Sequence, residues 1–72
     1  MNGLEELKRL ATSDSTTEED DYIMQAILHK IDFPKAIVTS GIVYLEGRGT
    51  IDAPPAPIRS VAKKILEAIN NL

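Results

Sequence analysis

Residues 39–50, which read TSGIVYLEGRGT, constrain the fold of this chain more than any other segment. Four consecutive large apolar residues lie between two glycine-containing turn sequences, a pattern that favours a short β-hairpin over a continuous helix. Residues 36–39 are largely β-branched and supply the first strand. Ser40-Gly41 offers the positive φ angles of a tight turn, and residues 42–46 make the second strand.

Side-chain alternation along the second strand gives the hairpin two different faces. Val43 and Leu45 share one face, and Ile42 and Tyr44 share the other. We expect helices to cover one face only, so the partly apolar face with Ile42 and Tyr44 points to a partner. We also expect the short sheet to have exposed edges, which invite pairing with another strand or subunit.

Two helices are predicted before the hairpin. Leu4, Leu7, Leu10 and Ala11 fall at helical spacing among charged residues and predict a short amphipathic helix. The small polar residues that follow compete for their own backbone and end this helix. A second helix is predicted at about residues 17–31.

The second helix has clear start and stop signals. Thr16 with Glu19, or Thr17 with Asp20, reads as a capping box at its start. Phe33-Pro34 ends it, because the residue before proline disfavours the α region. Its apolar face is formed by Ile23, Met24, Ile27, Leu28 and Ile31.

The C-terminal part is predicted to be a stiff connector followed by a third helix. Residues 50–52 either add a short third strand or lead away from the sheet. Residues 53–57 hold three prolines, which cannot lie inside a helix or a central strand, and Pro57 suits the first position of the final helix. The helix is predicted to close at Asn70-Asn71, with an apolar stripe of Ile58, Val61, Ala62, Ile65, Ile69 and Leu72.

The predicted fold class is therefore α+β, with the order α-α-β-β-(β)-α and the helices packed on one face of a small antiparallel sheet. We expect a single small domain over residues 1–72, in which residues 1–16 are a short helix and polar linker and residues 17–72 form the compact core. A chain of 72 residues without cysteine must obtain its stability from apolar packing, completed by a partner or a second copy.

The distribution of charge bears on possible partners and location. Residues 1–35 carry a net charge of −4 and residues 36–72 a net charge of +1, within a total of −3. This balance argues against a dedicated nucleic-acid binder. No apolar run is long enough for a membrane span or a signal peptide, so we expect a cytoplasmic protein. A mature exported form that has lost its signal would look the same.

Two clusters could carry chemistry, and each has a simpler explanation. The acids Asp14 and 18–21 could bind a hard cation or a basic partner, but a solvated, dipole-compensated helix start explains them better. His29, with Asp32 three residues on, could act as a general base. Because no recognisable nucleophile accompanies it, an ordinary helix-surface residue is the better interpretation, and we expect no enzymatic activity and no cofactor.

The basic residues of the C-terminal half form a second group of weak signals. Gly47-Arg48-Gly49 could converge on an anion, although a turn with an exposed arginine is favoured. Arg48, Arg59, Lys63 and Lys64 could form a basic strip that contacts an acidic partner or anionic headgroups weakly. Solvated surface positions are the default interpretation, and the absence of interleaved aromatic residues argues against a nucleic-acid platform.

Three segments together resemble a BON domain: DDYIMQAILHKID, AIVTSGIVYLEGRGTID and IRSVAKKILEAI. The similarity covers about residues 20–69, with Asp21, Gly41, Val43, Leu45, Gly47, Ala62 and Ile65 at the matching places. The family's final strand is missing here, and the proline-rich insert is unusual. The resemblance implies a non-catalytic module that binds phospholipid surfaces, small ligands or other proteins.

From these observations we expect a non-enzymatic protein-interaction module, a small regulator or adaptor that binds a protein partner or itself as a homodimer. A BON-like module for small ligands or phospholipids is the first alternative, and a weak nucleic-acid-binding protein is the second. The candidate interaction surface consists of Ile42, Tyr44, Arg48, Arg59 and Lys63.

Overall fold

The computed structural model describes residues 3–71 and contains six elements in this range. They are α1 (Gly3–Thr12), α2 (Glu18–Ile31), β1 (Ile37–Thr39), β2 (Ile42–Tyr44), β3 (Ala56–Pro57) and α3 (Ile58–Asn70). The strands form one antiparallel sheet in the order β1-β2-β3. The predicted α+β class and element order are confirmed. Leu72, the last position of the predicted α3 stripe, lies outside the described residues.

The hairpin turn forms at the predicted glycine. Ser40 and Gly41 have φ angles of 53° and 76°, as in the two-residue turns whose twist suits a hairpin. Thr39 pairs with Ile42 directly beside this turn. The second strand ends at Tyr44, two residues earlier than predicted, because the Gly47 N–H donates to the Tyr44 carbonyl oxygen (3.2 Å) and closes a further turn.

The third strand is not residues 50–52 but Ala56–Pro57, inside the proline-rich segment. Thr50 instead forms a local turn with Ala53. Ala56–Pro57 can pair because it is an edge strand, where a missing amide is tolerated. The Ile58 N–H donates to the Gly41 carbonyl oxygen (3.0 Å), which ties the start of α3 to the hairpin turn. Pro57 is thus the N-cap of α3 rather than its first helical residue.

The predicted capping box at the start of α2 is present with Thr17 and Asp20. The Thr17 hydroxyl accepts from the Asp20 N–H (3.2 Å), and the Asp20 carboxylate accepts from the Thr17 N–H (3.0 Å). Two orphan amides are satisfied in this way, which fixes the first turn of the helix.

All three helices contribute to one core. The most completely buried large side chains are Leu10, Met24, Leu28, Val43 and Ile58. Each stabilises the fold by about 1.5–3 kcal/mol through removal of apolar surface from water. The first helix belongs fully to this core, since it also buries Leu7 and Ala11 and packs mainly against α3. The helix α2 packs mainly against β1.

The hairpin turn offers a test of the backbone geometry. Replacing Ser40 by Asn should raise the free energy of unfolding by about 0.5–1 kcal/mol, because Asn tolerates a positive φ better than Ser. Gly41→Ala should lower it by more than about 1 kcal/mol, since its φ is also positive and a Cβ there would lie 2.8 Å from Thr16 Oγ1. Urea denaturation measures both. A less stable S40N variant would contradict this turn geometry.

Candidate functional site

An apolar groove of about 550 Å³ lies beside the core. The C-terminal part of α2, the end of β2, the proline-rich segment and the second half of α3 form its walls. Its main apolar residues are Leu28, Ile31, Phe33, Leu45, Ile65 and Ile69. Ile31, Phe33 and Ile69 are 44%, 37% and 43% exposed, so the groove presents large apolar side chains to solvent.

The groove arises because the apolar stripes of two helices continue past the core. In α3, Ile58, Val61 and Ala62 are buried, Ile65 is half-buried and Ile69 is exposed. In α2, the stripe likewise runs from buried positions to the exposed Ile31. The extra apolar turn on each helix therefore has no covering element among residues 3–71.

Phe33 is placed on the groove by the way α2 ends. Asp32 caps the helix with φ 129°, and its N–H and that of Phe33 both donate to the Leu28 carbonyl oxygen. This conformation is uncommon for a residue other than glycine, and it redirects the chain so that the Phe33 ring follows Ile31 onto the same surface.

Asp52 and Lys64 are the charged residues that line the groove. Neither has an ion-pair partner within the described part of the chain. A mostly apolar site with one acid and one base can hold apolar side chains or an apolar small molecule and can orient them by charge. Among residues 3–71, three or more His, Asp or Glu side chains do not converge as a metal site would require.

A polar cleft of about 480 Å³ lies where the start of α2 meets the hairpin turn. The prediction of a fully solvated acidic helix start is wrong here, because Asp20 and Asp21 are buried. Asp21 accepts a hydrogen bond from the Gly41 N–H (2.9 Å). Among the described residues, every buried side-chain nitrogen and oxygen has a hydrogen-bond partner, so the buried Asp21 of this cleft needs no ligand to satisfy it.

Asp21, Gln25 and His29 lie at intervals of four on α2 and form a polar row against the hairpin. Beyond the Asp21 bond, the Gln25 carbonyl oxygen accepts from the Val38 N–H (3.0 Å). The His29 Nε2–H donates to the Ala36 carbonyl oxygen (2.8 Å). His29 therefore holds a structural contact, and no hydrogen bond or ion pair joins it to Asp32 in the described chain.

This polar row also occupies part of the free edge of β1, because its side chains bond to the Ala36 carbonyl oxygen and the Val38 N–H, which another strand would need. The opposite edge is β3, which is two residues long and contains Pro57. Both edges therefore offer few free backbone groups, and the expectation that exposed edges invite strand pairing stays a prediction.

An ion-pair cluster links α1 to α2. Arg9 contacts Asp20 at 2.7 Å and Glu6 at 2.8 Å. The hydrogen bond from Arg9, followed by that from the Thr17 N–H, lowers the pKa of the buried Asp20 carboxyl, and the same cluster raises the pKa of Arg9. The Arg9 side chain is 46% exposed, so water screens part of this attraction.

The five residues of the sequence-predicted interaction surface are distributed over a strand, a turn and a helix. Ile42 and Tyr44 are half-buried on the sheet face that points away from Val43. Arg48 is exposed in the turn after β2, and Lys63 is exposed on α3. Arg59 is also on α3, where it contacts Asp14 at 3.3 Å.

The groove itself was missed by the sequence reasoning. Its residues were interpreted individually as core positions or as stop signals. The signal that could have revealed it is the length of the α2 and α3 stripes, together with Phe33 directly after the helix.

No family model, curated protein or solved structure matches this chain. Within the described residues, none of the helices is long and apolar enough to cross a membrane. The BON resemblance therefore stays a prediction.

The Arg9–Asp20 contact predicts a pH-dependent stability. Asp20→Asn should lower the free energy of unfolding by about 1–2 kcal/mol at pH 7, because Arg9 and Thr17 bond to different carboxylate oxygens and an amide has only one oxygen. The lowered Asp20 pKa means that this stabilisation is present above the unfolded value of about 4 and is lost as the pH falls through the folded value. Urea denaturation between pH 7 and about pH 2.5 measures the difference.

Glu19→Gln is the matched control, because it removes an exposed acid from the same helical turn and should change stability by less than about 0.5 kcal/mol. If the Asp20→Asn variant differed from the wild type equally at neutral and acidic pH, the ion pair would not be the cause.

Proposed function

We propose that this protein is a non-enzymatic protein-interaction module, a small regulator or adaptor, and that its binding site is the apolar groove. The observation that carries the proposal is the clustering of Ile31, Phe33 and Ile69, each more than one-third exposed, around one concave surface. Single exposed apolar residues are ordinary on protein surfaces, but a contiguous apolar patch is typical of an interaction site.

The sheet edges have few free backbone donors and acceptors, which limits the kind of contact a partner can make. Side chains of α2 bond to backbone groups at the β1 edge, so few backbone donors and acceptors are left there for an added strand. A groove between two helices instead suits an amphipathic helix, whose apolar side chains at spacings of three and four enter it together. Asp52 and Lys64 would then set the orientation of the bound segment.

The outer face of the sheet, with Ile42 and Tyr44, is the second surface on which a partner could bind. Tyr44 is half-buried and pairs with Ile37, which is 45% exposed. Arg48, Arg59 and Lys63, the other residues of the sequence-predicted surface, lie in a turn and on α3 rather than on this strand. Ile37, Ile42 and Tyr44 do not line the groove, and we rank this surface second.

A small-ligand or phospholipid module, as the BON resemblance implies, is the alternative function. The groove volume of about 550 Å³ falls in the usual range for ligand sites, and Lys64 could pair with an anionic headgroup. Weak nucleic-acid binding has less support, because Arg59 already contacts Asp14 and the net charge is −3.

Peptide selection tests the proposed site. Helical peptides displayed on phage are selected on the immobilised protein, and the affinities of the recovered sequences are measured by fluorescence anisotropy. We expect sequences with apolar residues at helical spacing. Phe33→Ser should weaken their binding by at least about tenfold, because it removes the largest exposed side chain of the groove.

Ile69→Ser provides a second groove variant, and Tyr44→Ser is the matched control on the sheet face. Circular dichroism establishes that each variant is folded. Loss of binding in Tyr44→Ser but not in the groove variants would move the site to the sheet. Failure to recover any peptide, with saturable binding of a lysophospholipid that Phe33→Ser abolishes, would favour the small-ligand alternative.

A further inference from the structure

Ile51 is 99% exposed, the largest exposure among the large hydrophobic side chains of the described chain. A side chain with this exposure removes almost no apolar surface from water when the monomer folds, so it does not stabilise the monomer. Its neighbours Asp52, Ala53 and Pro54 line the apolar groove, so the exposed side chain stands at the rim of an apolar site.

The segment that carries Ile51 is held in shape on both sides. The Thr50 N–H donates to the Ala53 carbonyl oxygen (3.2 Å), and the Ala53 N–H donates to Thr50 Oγ1 (3.0 Å). Gly49 packs so closely on Pro55 that a Cβ at position 49 would lie 2.6 Å from the proline ring. Ile51 is thus presented from a constrained turn, which reduces the entropy lost when it binds.

A projecting residue beside a groove can form a self-complementary patch, which is what a two-fold symmetric dimer requires. In such an interface the same patch faces itself, so the projection of each copy meets the groove of the other. The charges fit the same symmetry, since the groove is lined by one acid, Asp52, and one base, Lys64, neither of which is paired within the described chain.

A standard interface buries about 800 Å² per partner, which is about one-sixth of the accessible surface of 4991 Å². Ile51 and the exposed residues Ile31, Phe33 and Ile69 would form its apolar centre, and the two charge pairs would lie at its rim.

We propose that a second copy of this chain occupies the groove: Ile51 of each protomer inserts into the groove of its partner, and Asp52 of each lies against Lys64 of the partner subunit. This inference rests on the proposed function, because it uses the same groove; the segment bound is the turn that carries Ile51 rather than a helix. The groove is complete as an apolar site only when Ile51 of the other copy fills it.

Sedimentation equilibrium over a wide range of protein concentrations tests the inference. The wild type should pass from 7.9 kDa to twice that mass as the concentration rises. Ile51→Ser should lower the association constant by at least about tenfold, and it should leave folding unchanged because the side chain is already fully exposed. Tyr22→Ser, at a 66% exposed position outside the groove lining, is the control and should associate like the wild type.

The charge pairing has its own test. Asp52→Lys and Lys64→Asp should each weaken self-association, because each places like charges together twice in the symmetric dimer. An equimolar mixture of these two variants should associate again as a heterodimer, since every rim contact in it joins opposite charges. If the mixture did not associate more strongly than either variant alone, the proposed pairing would be wrong.

The two proposals fail in different ways. A wild type that stays at 7.9 kDa while its groove binds the selected peptides would overturn self-association and leave the interaction module standing. A dimer that Ile51→Ser does not weaken would use another face and would also overturn this inference. Peptide binding is measured on the Ile51→Ser variant, whose groove is unchanged, so that a second copy does not compete for the site.

Discussion

The polar row of α2 holds the hairpin in place, and the rest of the structure depends on it. A hairpin with strands of three residues is not stable by itself in water. Asp21, Gln25 and His29 each bond to a backbone group in the segment from Ala36 to Gly41, so that one helix face replaces a missing neighbour strand. Val43 of β2 then packs in the core, and β3 pairs with the other edge of β2.

The same row shows which parts of the structure could be predicted from the sequence and which could not. The helices could be predicted from apolar residues at spacings of three and four, and the hairpin could be predicted from Ser40-Gly41. Each of these signals lies within a few residues of the chain. The bond of Asp21 to Gly41 spans 20 positions, and no local pattern distinguishes it from a solvated acid at a helix start. The burial of Asp20 has a similar cause, since Arg9 reaches it from a separate helix.

The third strand could not be located from the sequence for a different reason. Residues 50–52 have the composition of a strand, whereas prolines usually argue against one. At the sheet edge, the missing N–H of Pro57 breaks no hydrogen bond of the sheet. The next residue, Ile58, donates its N–H to the Gly41 carbonyl oxygen. Residues 50–52 are instead drawn away from the sheet by the Thr50–Ala53 turn, which leaves Ile51 in solvent.

The groove is a consequence of small size. A chain of 72 residues has a high ratio of surface to volume, so two helices of 13 and 14 residues extend beyond the core that one three-stranded sheet can cover. To avoid a groove, the apolar residues at the ends of these helices would have to be removed, replaced by polar residues or covered by another element. Here they stay apolar, while the sheet edges are closed by side chains and proline. These two features act together: few backbone groups are free at the sheet edges, whereas the groove exposes large apolar side chains.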